Sequence, residues 1–385
     1  MFCNVPFCLP HLMYFSGMFV MRCCFPFAIL ASLLAGGCAS SDNTPANRSL
    51  DSFKGTSACY DRETEPYTAV VDTHLHYRPF DGRAIPFNEV NEYLSRTTVR
   101  FANVYGIGQM LPANSSCSNY LKCPGTPVSP TTRNDFVNAA NMIEYKPDDL
   151  HLTLSMTFTD LSNPEPTIEL MKLYEKEYPG LFHWMGEVNL VKQAQFNNRH
   201  QPATPKDITK WADFMAELRA RDYPITIHSD IGNDISPTLY LPLMEQALAL
   251  YPDNKIVWAH MGLSYEQTSM KASDHIAILS RLLDQYPNLM LDISWRILED
   301  YYFSKSAYRP QYVAFMNQYS ERILPGSDFV AFRGNSFKVY EQELEVTSRI
   351  HQYLDDNAFR NIALGENYFR LLNLDYHAPQ ICTKS

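Results

Sequence analysis

The sequence predicts an α/β protein, a single-domain (β/α)8 TIM barrel with loop insertions. Two observations lead there. Apolar strand-like runs alternate with helix-period stretches eight times between Val70 and Leu374, the pattern of parallel strands joined by crossover helices. The eight units fill roughly 300 residues, which suits a barrel of ~250 residues carrying insertions. A doubly wound open sheet is the rival, but it would carry a glycine-rich turn after its first strand. Here that turn carries His74-Leu75-His76.

The elements follow in order. Val70-Val71 opens the first strand, and alternation in an extended chain points His74 and His76 the same way. Two convergent imidazoles make half of a metal site. Tyr77 to Pro86 holds two prolines and reads as loop; Phe87 to Ser95 reads as helix and Val99 to Tyr105 as the second strand. Gly106 to Pro130 is a long Pro/Ser/Cys-rich loop with Tyr105 and Gln109 at its base. Such length marks a functional segment or lid. A helix is expected over Thr132–Tyr145, a third strand over His151–Phe158, a helix over Glu165–Tyr178 and a fourth strand over Phe182–Val188. Then come a helix at Lys206–Arg221, strand five at Ile225–His228, a helix at Tyr240–Leu250 and strand six at Lys255–His260. A helix at Asp274–Tyr286, strand seven at Leu289–Ile293, a helix at Pro310–Tyr319 and strand eight at Arg322–Asp328 complete the barrel. Helices at Tyr340–Leu354 and Asn367–Leu374 close the chain.

Composition bounds the function. With 45% hydrophobic and 19% charged residues the chain is globular in type. A net charge of −10 and the lack of any basic run argue against a nucleic-acid partner. Gly106-Ile107-Gly108 lacks the third glycine of a phosphate-cradling loop, and no GxSxG elbow occurs.

Residues 1–37 read as a signal peptide, with an apolar core at Phe25–Leu34 behind Arg22 and a start codon at Met18 or Met21 as an alternative. Past Arg22 about 15 apolar residues remain, short of the roughly 20 that span a bilayer. Leu34-Ala35-Gly36-Gly37-Cys38 resembles a bacterial lipobox, which makes Cys38 the expected lipidation site. Residues 38–66 read as lipidated N-terminus and polar tether, 67–376 as the barrel and 377–385 as a tail. The expected location is the bacterial cell envelope, facing periplasm or exterior, with the membrane met through the lipid alone. In an oxidising compartment Cys117 and Cys123 are expected to pair within their loop, and Cys59 and Cys382 to staple the two ends of the fold.

On this map His74 and His76 end strand one, Glu187 strand four, His228 strand five, His260 strand six and Asp328 strand eight. The spacings agree: His228 and His260 are 32 residues apart, one βα unit, and His260 and Asp328 are 68 apart, two units. All six therefore reach the C-terminal rim, where barrel enzymes place their chemistry.

These pieces carry a resemblance. Asp72-Thr73-His74-Leu75-His76, Ile227-His228, Ala259-His260-Met261-Gly262, Arg322-Ile323-Leu324-Pro325-Gly326-Ser327-Asp328 and the tail Asn361–Leu372 are similar to the amidohydrolase superfamily of metal-dependent hydrolases. They most resemble the branch that also contains metal-dependent decarboxylases. The resemblance implies that His74, His76, His228 and Asp328 bind a divalent metal. It implies that His260 lies beside the ligands or acts on substrate. Relatives with two metals carry a bridging residue where Glu187 stands, so Glu187 is either a ligand or an ion-paired neighbour, and one or two ions are expected.

Three imidazoles and a carboxylate suit zinc first, with manganese, iron or cobalt as alternatives. An ion so held activates water for attack. Asp328 is the expected base and His260 the group that polarises a carbonyl or steadies an oxyanion. Arg78, Arg296 and Arg333 follow strands one, seven and eight, and arginine favours bidentate contact with anions. The expected activity is hydrolysis of a C–N or C–O bond (amide, lactone or ester) in a small, anionic molecule. The alternatives are non-oxidative decarboxylation of an aromatic or unsaturated acid, and a non-catalytic metal-binding lipoprotein. The oligomeric state is open.

Overall fold

The computed structural model describes residues 48–55, 58–157 and 160–383. The expected signal peptide and Cys38 lie outside the described residues. The barrel strands are β1 Val71–His76, β2 Phe101–Tyr105, β3 His151–Met156, β4 Phe182–Val191, β5 Ile225–Ser229, β6 Ile256–Trp258 and β7 Leu289–Asp292. An eighth strand is broken into β8 Ile323–Leu324 and β9 Phe329–Val330. Neighbours pair in parallel in the order β8-β7-β6-β5-β4-β3-β2-β1-β9. Since β8 and β9 belong to one run of chain, the sheet returns to its start and closes. Across the seam Thr73 N donates to Pro325 O at 3.0 Å and Asp328 N to His74 O at 2.8 Å. The α/β TIM barrel predicted from alternation is the fold observed.

The crossovers are α1 Phe87–Ser95, α2 Arg133–Glu144, α3 Glu165–Glu177, α4 Pro205–Ile208 with α5 Ala212–Ala220, α6 Leu241–Leu250, α7 Ala272–Gln285 and α8 Arg309–Gln318. Each lays one stripe on the sheet. In α7 the buried residues are Ala272, His275, Leu279, Leu282 and Leu283, the one-face spacing of an amphipathic helix. After the barrel closes come α9 Phe337–Ser348, α10 Asp356–Ile362 and α11 Glu366–Leu371. The last two seal the N-terminal end: Asn367 Nδ2 donates to Ser320 O and Ile323 O, both at 2.7 Å, and Val70 N to Ala363 O at 2.9 Å. The rim at the strands' C-terminal ends is left for chemistry.

Four local expectations are corrected. The helix expected over Lys206–Arg221 is broken, because Thr204 and Asp207 cap the short α4 and the turn Thr209–Trp211 seats Trp211, whose Nε1 donates to Leu161 O at 2.7 Å. The helix expected over Tyr340–Leu354 ends at Ser348 and gives way to a tighter turn, Arg349–Tyr353. Strand six stops at Trp258, not His260, since the chain turns over the Trp258 ring so closely that a Cβ on Gly262 would sit 2.5 Å from it. The Gly106–Pro130 segment is no structureless loop. It holds an antiparallel ribbon of Gln109–Met110 with Ser129–Pro130 and a small apolar cluster of Ile107, Leu111, Tyr120 and Cys123.

Both expected disulfides are formed, Cys59–Cys382 and Cys117–Cys123. The first stands beside a bridge of Tyr60 with Ile381 and ties the two ends of the domain together. No described helix is long and apolar enough to cross a membrane.

Candidate active site

β1 ends with both histidines buried, His74 at 0% and His76 at 1% exposure. Their Nδ1 atoms are spoken for. His74 Nδ1 donates to Asp292 Oδ2 at 2.5 Å and His76 Nδ1 to the carbonyl oxygen of Gly106 at 3.1 Å. An acceptor on Nδ1 assigns the proton there and leaves a lone pair on Nε2, the arrangement of metal-ligating histidines. Both Nε2 atoms are buried and have no hydrogen-bond partner among the described residues.

Glu187 and Asp328 face those lone pairs. His74 Nε2 lies 3.6 Å from Glu187 Oε2 and 3.5 Å from Asp328 Oδ1. His76 Nε2 lies 3.5 Å and 3.4 Å from the same two atoms. A tetrahedron of ligands about 2.1 Å from a metal has edges of about 3.4 Å. The hole bounded by these atoms therefore has the size of a coordination sphere.

Glu187 reaches it with one oxygen only. Its Oε1 accepts from Lys192 Nζ at 2.9 Å and from His228 Nδ1 at 2.5 Å. His228 in turn places Nε2 3.0 Å from Asp230 Oδ1. Carboxylates only accept, so His228 donates from both nitrogens and is an imidazolium. Burial and Lys192 oppose that charge, but Glu187 and Asp230 outweigh them and raise its pKa. The structure brings His228 to the centre with both ring nitrogens turned to carboxylates.

His260 completes a row of four rings. Centroids of His76 and His74, His74 and His260, and His260 and His228 lie 5.2, 5.0 and 5.1 Å apart. Burial pushes the His260 pKa down to about 4, so the ring is neutral near pH 7. Its Nδ1 lies 3.2 Å from Ser294 O and 3.1 Å from Ser294 Oγ, a hydroxyl that can donate or accept. The neutral ring can therefore present either a lone pair or an N–H from Nε2. His74, Glu187 and His260 also offer ligand atoms within 4.8 Å of one another.

Charge counting tests the fit of a divalent ion. Burial favours the neutral acids, yet the facing cations win: Lys192 and His228 hold Glu187 well below the usual carboxylate range. His76, His260 and His74 pull Asp328 down to about 2. Asp292 and Asp230 are lowered too, burial again being outweighed by their histidine partners. Four carboxylates stand against one lysine and one imidazolium, leaving two negative charges. A divalent cation balances them. Burial opposes charge on His74 and His76, but their carboxylate neighbours raise both pKa values, His74's well above the ordinary histidine range. Without an ion, protons gather where the ion would sit.

The backbone is shaped for this rim. His260 (φ 54°), Met261 (φ 54°), Trp295 (φ 72°) and Asp328 (φ 55°) all hold left-handed conformations, each costing about 1–3 kcal/mol and typical of active sites. Gly326, in the break between β8 and β9, packs against His74 so closely that a Cβ would lie 3.0 Å from the His74 backbone nitrogen.

Beside the hole lies a cavity of about 450 Å³, edged by His228, His260 and Asp328. Arg296 borders it, but its guanidinium bonds Asp300 Oδ2 at 2.8 Å and Glu343 Oε1 at 2.9 Å. Arg333 pairs with Glu89 at 2.7 Å on the surface. Arg78 Nε contacts Asn134 Oδ1 at 3.4 Å, and neither it nor Arg333 is among the cavity's lining residues. Sequence reasoning passed over Asp230, Asp292 and the reach of Lys192. Asp292 had a signal, as an acid closing the apolar strand Leu289–Asp292. Asp230 repeats the i, i+2 spacing after His228.

The amidohydrolase family model matches residues 156–360, more than half of the 385. The chain belongs to the amidohydrolase family. The match spans Glu187, His228, His260 and Asp328, while the His74–His76 pair precedes it. Among solved structures this amidohydrolase is similar to an amidohydrolase from Burkholderia multivorans with bound zinc, at 13% identity and TM-score 0.50, covering 80% of this chain and 99% of that one. It is also similar to dihydropyrimidinase from Brevibacillus agri, at 10% identity and TM-score 0.49 over 83% and 73% of the two chains. Dihydroorotase from Campylobacter jejuni follows at 14% and 0.44 over 75% and 82%. At such identities the likeness is one of fold. A search of curated proteins gave no match. Family membership supports an enzyme of hydrolase type that uses a divalent metal.

Proposed function

We propose that this amidohydrolase cleaves a C–N or C–O bond of a small molecule by metal-dependent hydrolysis. One observation carries the reading: Asp328 borders both the four-atom hole and the cavity, with its side chain 16% exposed. A base that deprotonates water and then serves the leaving group must touch both spaces. His74 Nε2, His76 Nε2, Glu187 Oε2 and Asp328 Oδ1 would hold the ion, zinc by donor set, with manganese, iron or cobalt also suited. A divalent ion there supplies Lewis-acid polarisation and a water acidic enough to react near neutral pH.

The chain's own groups do the rest. Asp292 and the Gly106 carbonyl fix the two imidazole tautomers. Lys192 and His228 pin Glu187 so that one oxygen alone faces the hole. Asp328, ionised near pH 7, accepts the proton from water and returns it to the departing nitrogen or oxygen. Hydrolysis is favoured over decarboxylation because the arginine at the cavity is already committed to two carboxylates, leaving it poorly placed to grip a substrate acid. Export to an oxidising compartment is part of the same proposal, supported by the two disulfides.

The test is isotopic. Zinc-loaded protein, given a panel of lactones, esters and amides in ¹⁸O water, is expected to place one ¹⁸O in the acid product. Release of CO2 from an aromatic or enoic acid, with no label entering product, would decide for decarboxylation.

A further inference from the structure

The cavity beside Asp328 has an electrostatic character that neither the family nor the metal site dictates. Its walls are aromatic and aliphatic: Phe80 and Leu121 on the side of the disulfide-bearing segment, Tyr265, Trp295 and Val339 elsewhere. Trp295 meets Tyr265 edge to face, centroids 4.9 Å apart and planes at 89°, and Tyr265 meets Tyr301 at 6.2 Å and 87°. Trp295 is held there by a left-handed backbone.

Three cations border the cavity, Lys192, Arg296 and the His228 imidazolium, and all are answered, His228 by Glu187 and Asp230. Lys192 is bound to Glu187. Arg296 is bound to Asp300 and Glu343 together. Glu266 adds a further carboxylate, whose Oε2 is buried and has no hydrogen-bond partner among the described residues. Around Arg296 two carboxylates face one guanidinium, and Glu266 lines the same cavity. Burial pushes the Glu343 pKa up, Arg296 pulls it down, and the nearby Asp328 and Asp300 leave it raised. Excess negative potential beside exposed aromatic faces attracts cations and repels acids.

We propose that the substrate carries an amine-type cation, primary or quaternary, on an apolar body, seated against Trp295 and Tyr265 with Glu266 and Glu343 alongside. This rests on the hydrolase reading for the word substrate, and replaces the anionic molecule expected from the arginines alone. Trp295 and Glu266 are the residues that set the preference.

The experiment is binding of matched probes to the zinc-loaded protein by calorimetry: benzyltrimethylammonium, benzyl alcohol and phenylacetate. The ammonium probe is expected to bind on the order of tenfold more tightly than phenylacetate, with the alcohol between. Glu266→Gln and Trp295→Leu are each expected to reduce ammonium binding at least threefold with zinc content unchanged. Should Trp295→Leu fail to fold, Glu266→Gln, at a half-buried position, carries the test alone. Phenylacetate binding as tightly as the ammonium, or ammonium binding untouched by Glu266→Gln, overturns the proposal. The ¹⁸O assay on the same preparation keeps the two readings apart. Ammonium preference without label uptake sinks hydrolysis and leaves the cation site standing, whereas label uptake with an acid preference does the reverse.

Discussion

Asp328→Asn is expected to lower kcat by about 10²- to 10⁴-fold, the usual worth of a positioned general base. The substitution keeps an oxygen that can face the hole but removes the charge that accepts a proton. Its effect on the ground state has a definite sign. In the wild type the carboxylate packs against three imidazoles and its pKa falls to about 2. A carboxylate so lowered contributes stability that is present above its unfolded value near 4 and is lost as pH falls towards 2. The Asn variant lacks that contribution, so its stability near pH 7 should change less on acidification through this window than the wild type's. Zinc content, read by elemental analysis, should fall only in part. Wild-type turnover in a zinc-containing Asp328→Asn protein would remove the assigned role.

His74→Ala should lose nearly all bound zinc. It removes one lone pair from the hole and leaves Asp292 a buried carboxylate with no imidazole to answer it. His228→Ala tests something different. In the structure that ring donates from both nitrogens to Glu187 and Asp230, so its loss loosens Glu187 rather than deleting a ligand. Affinity should drop about 10- to 100-fold, as for groups that orient ligands. Equal loss of zinc in both variants would put His228 back among the ligands, as the family resemblance implied. Calorimetry of zinc binding in two buffers adds a control. The raised pKa values of His74 and His76 mean that the ion displaces protons, so proton release should accompany binding and affinity should weaken as pH falls through those raised values, above the ordinary histidine range.

The barrel was readable because its signals are local. Alternating apolar runs and one-face helices need only nearest neighbours in sequence, and a chemistry-bearing residue at the end of an otherwise apolar run marks the rim. The six residues named from that rule do meet at one place. What could not be read is who holds whom. Asp292 on His74 joins side chains 218 positions apart, which no periodicity couples, and the i, i+2 spacing of His228 and Asp230 does not show that the two bond. The arginines misled for the same reason: their number and place were visible, but the carboxylates that neutralise Arg296 come from α9 and from the turn after β7. Nor does sequence show that His260 and Asp328 sit in left-handed backbone, which is imposed by packing around Gly262 and Gly326. The Gly106–Pro130 segment looked structureless because its core is built from residues too few and too scattered to show a period.

The central claim is that His74, His76, Glu187 and Asp328 share one ion. Crystals of the zinc-loaded protein, with data collected on either side of the zinc absorption edge, test it directly. The account predicts one strong anomalous peak within about 2.3 Å of His74 Nε2, His76 Nε2, Glu187 Oε2 and Asp328 Oδ1. A zinc-saturated crystal with no peak there, or with zinc held instead between His228 and Asp230, would contradict it.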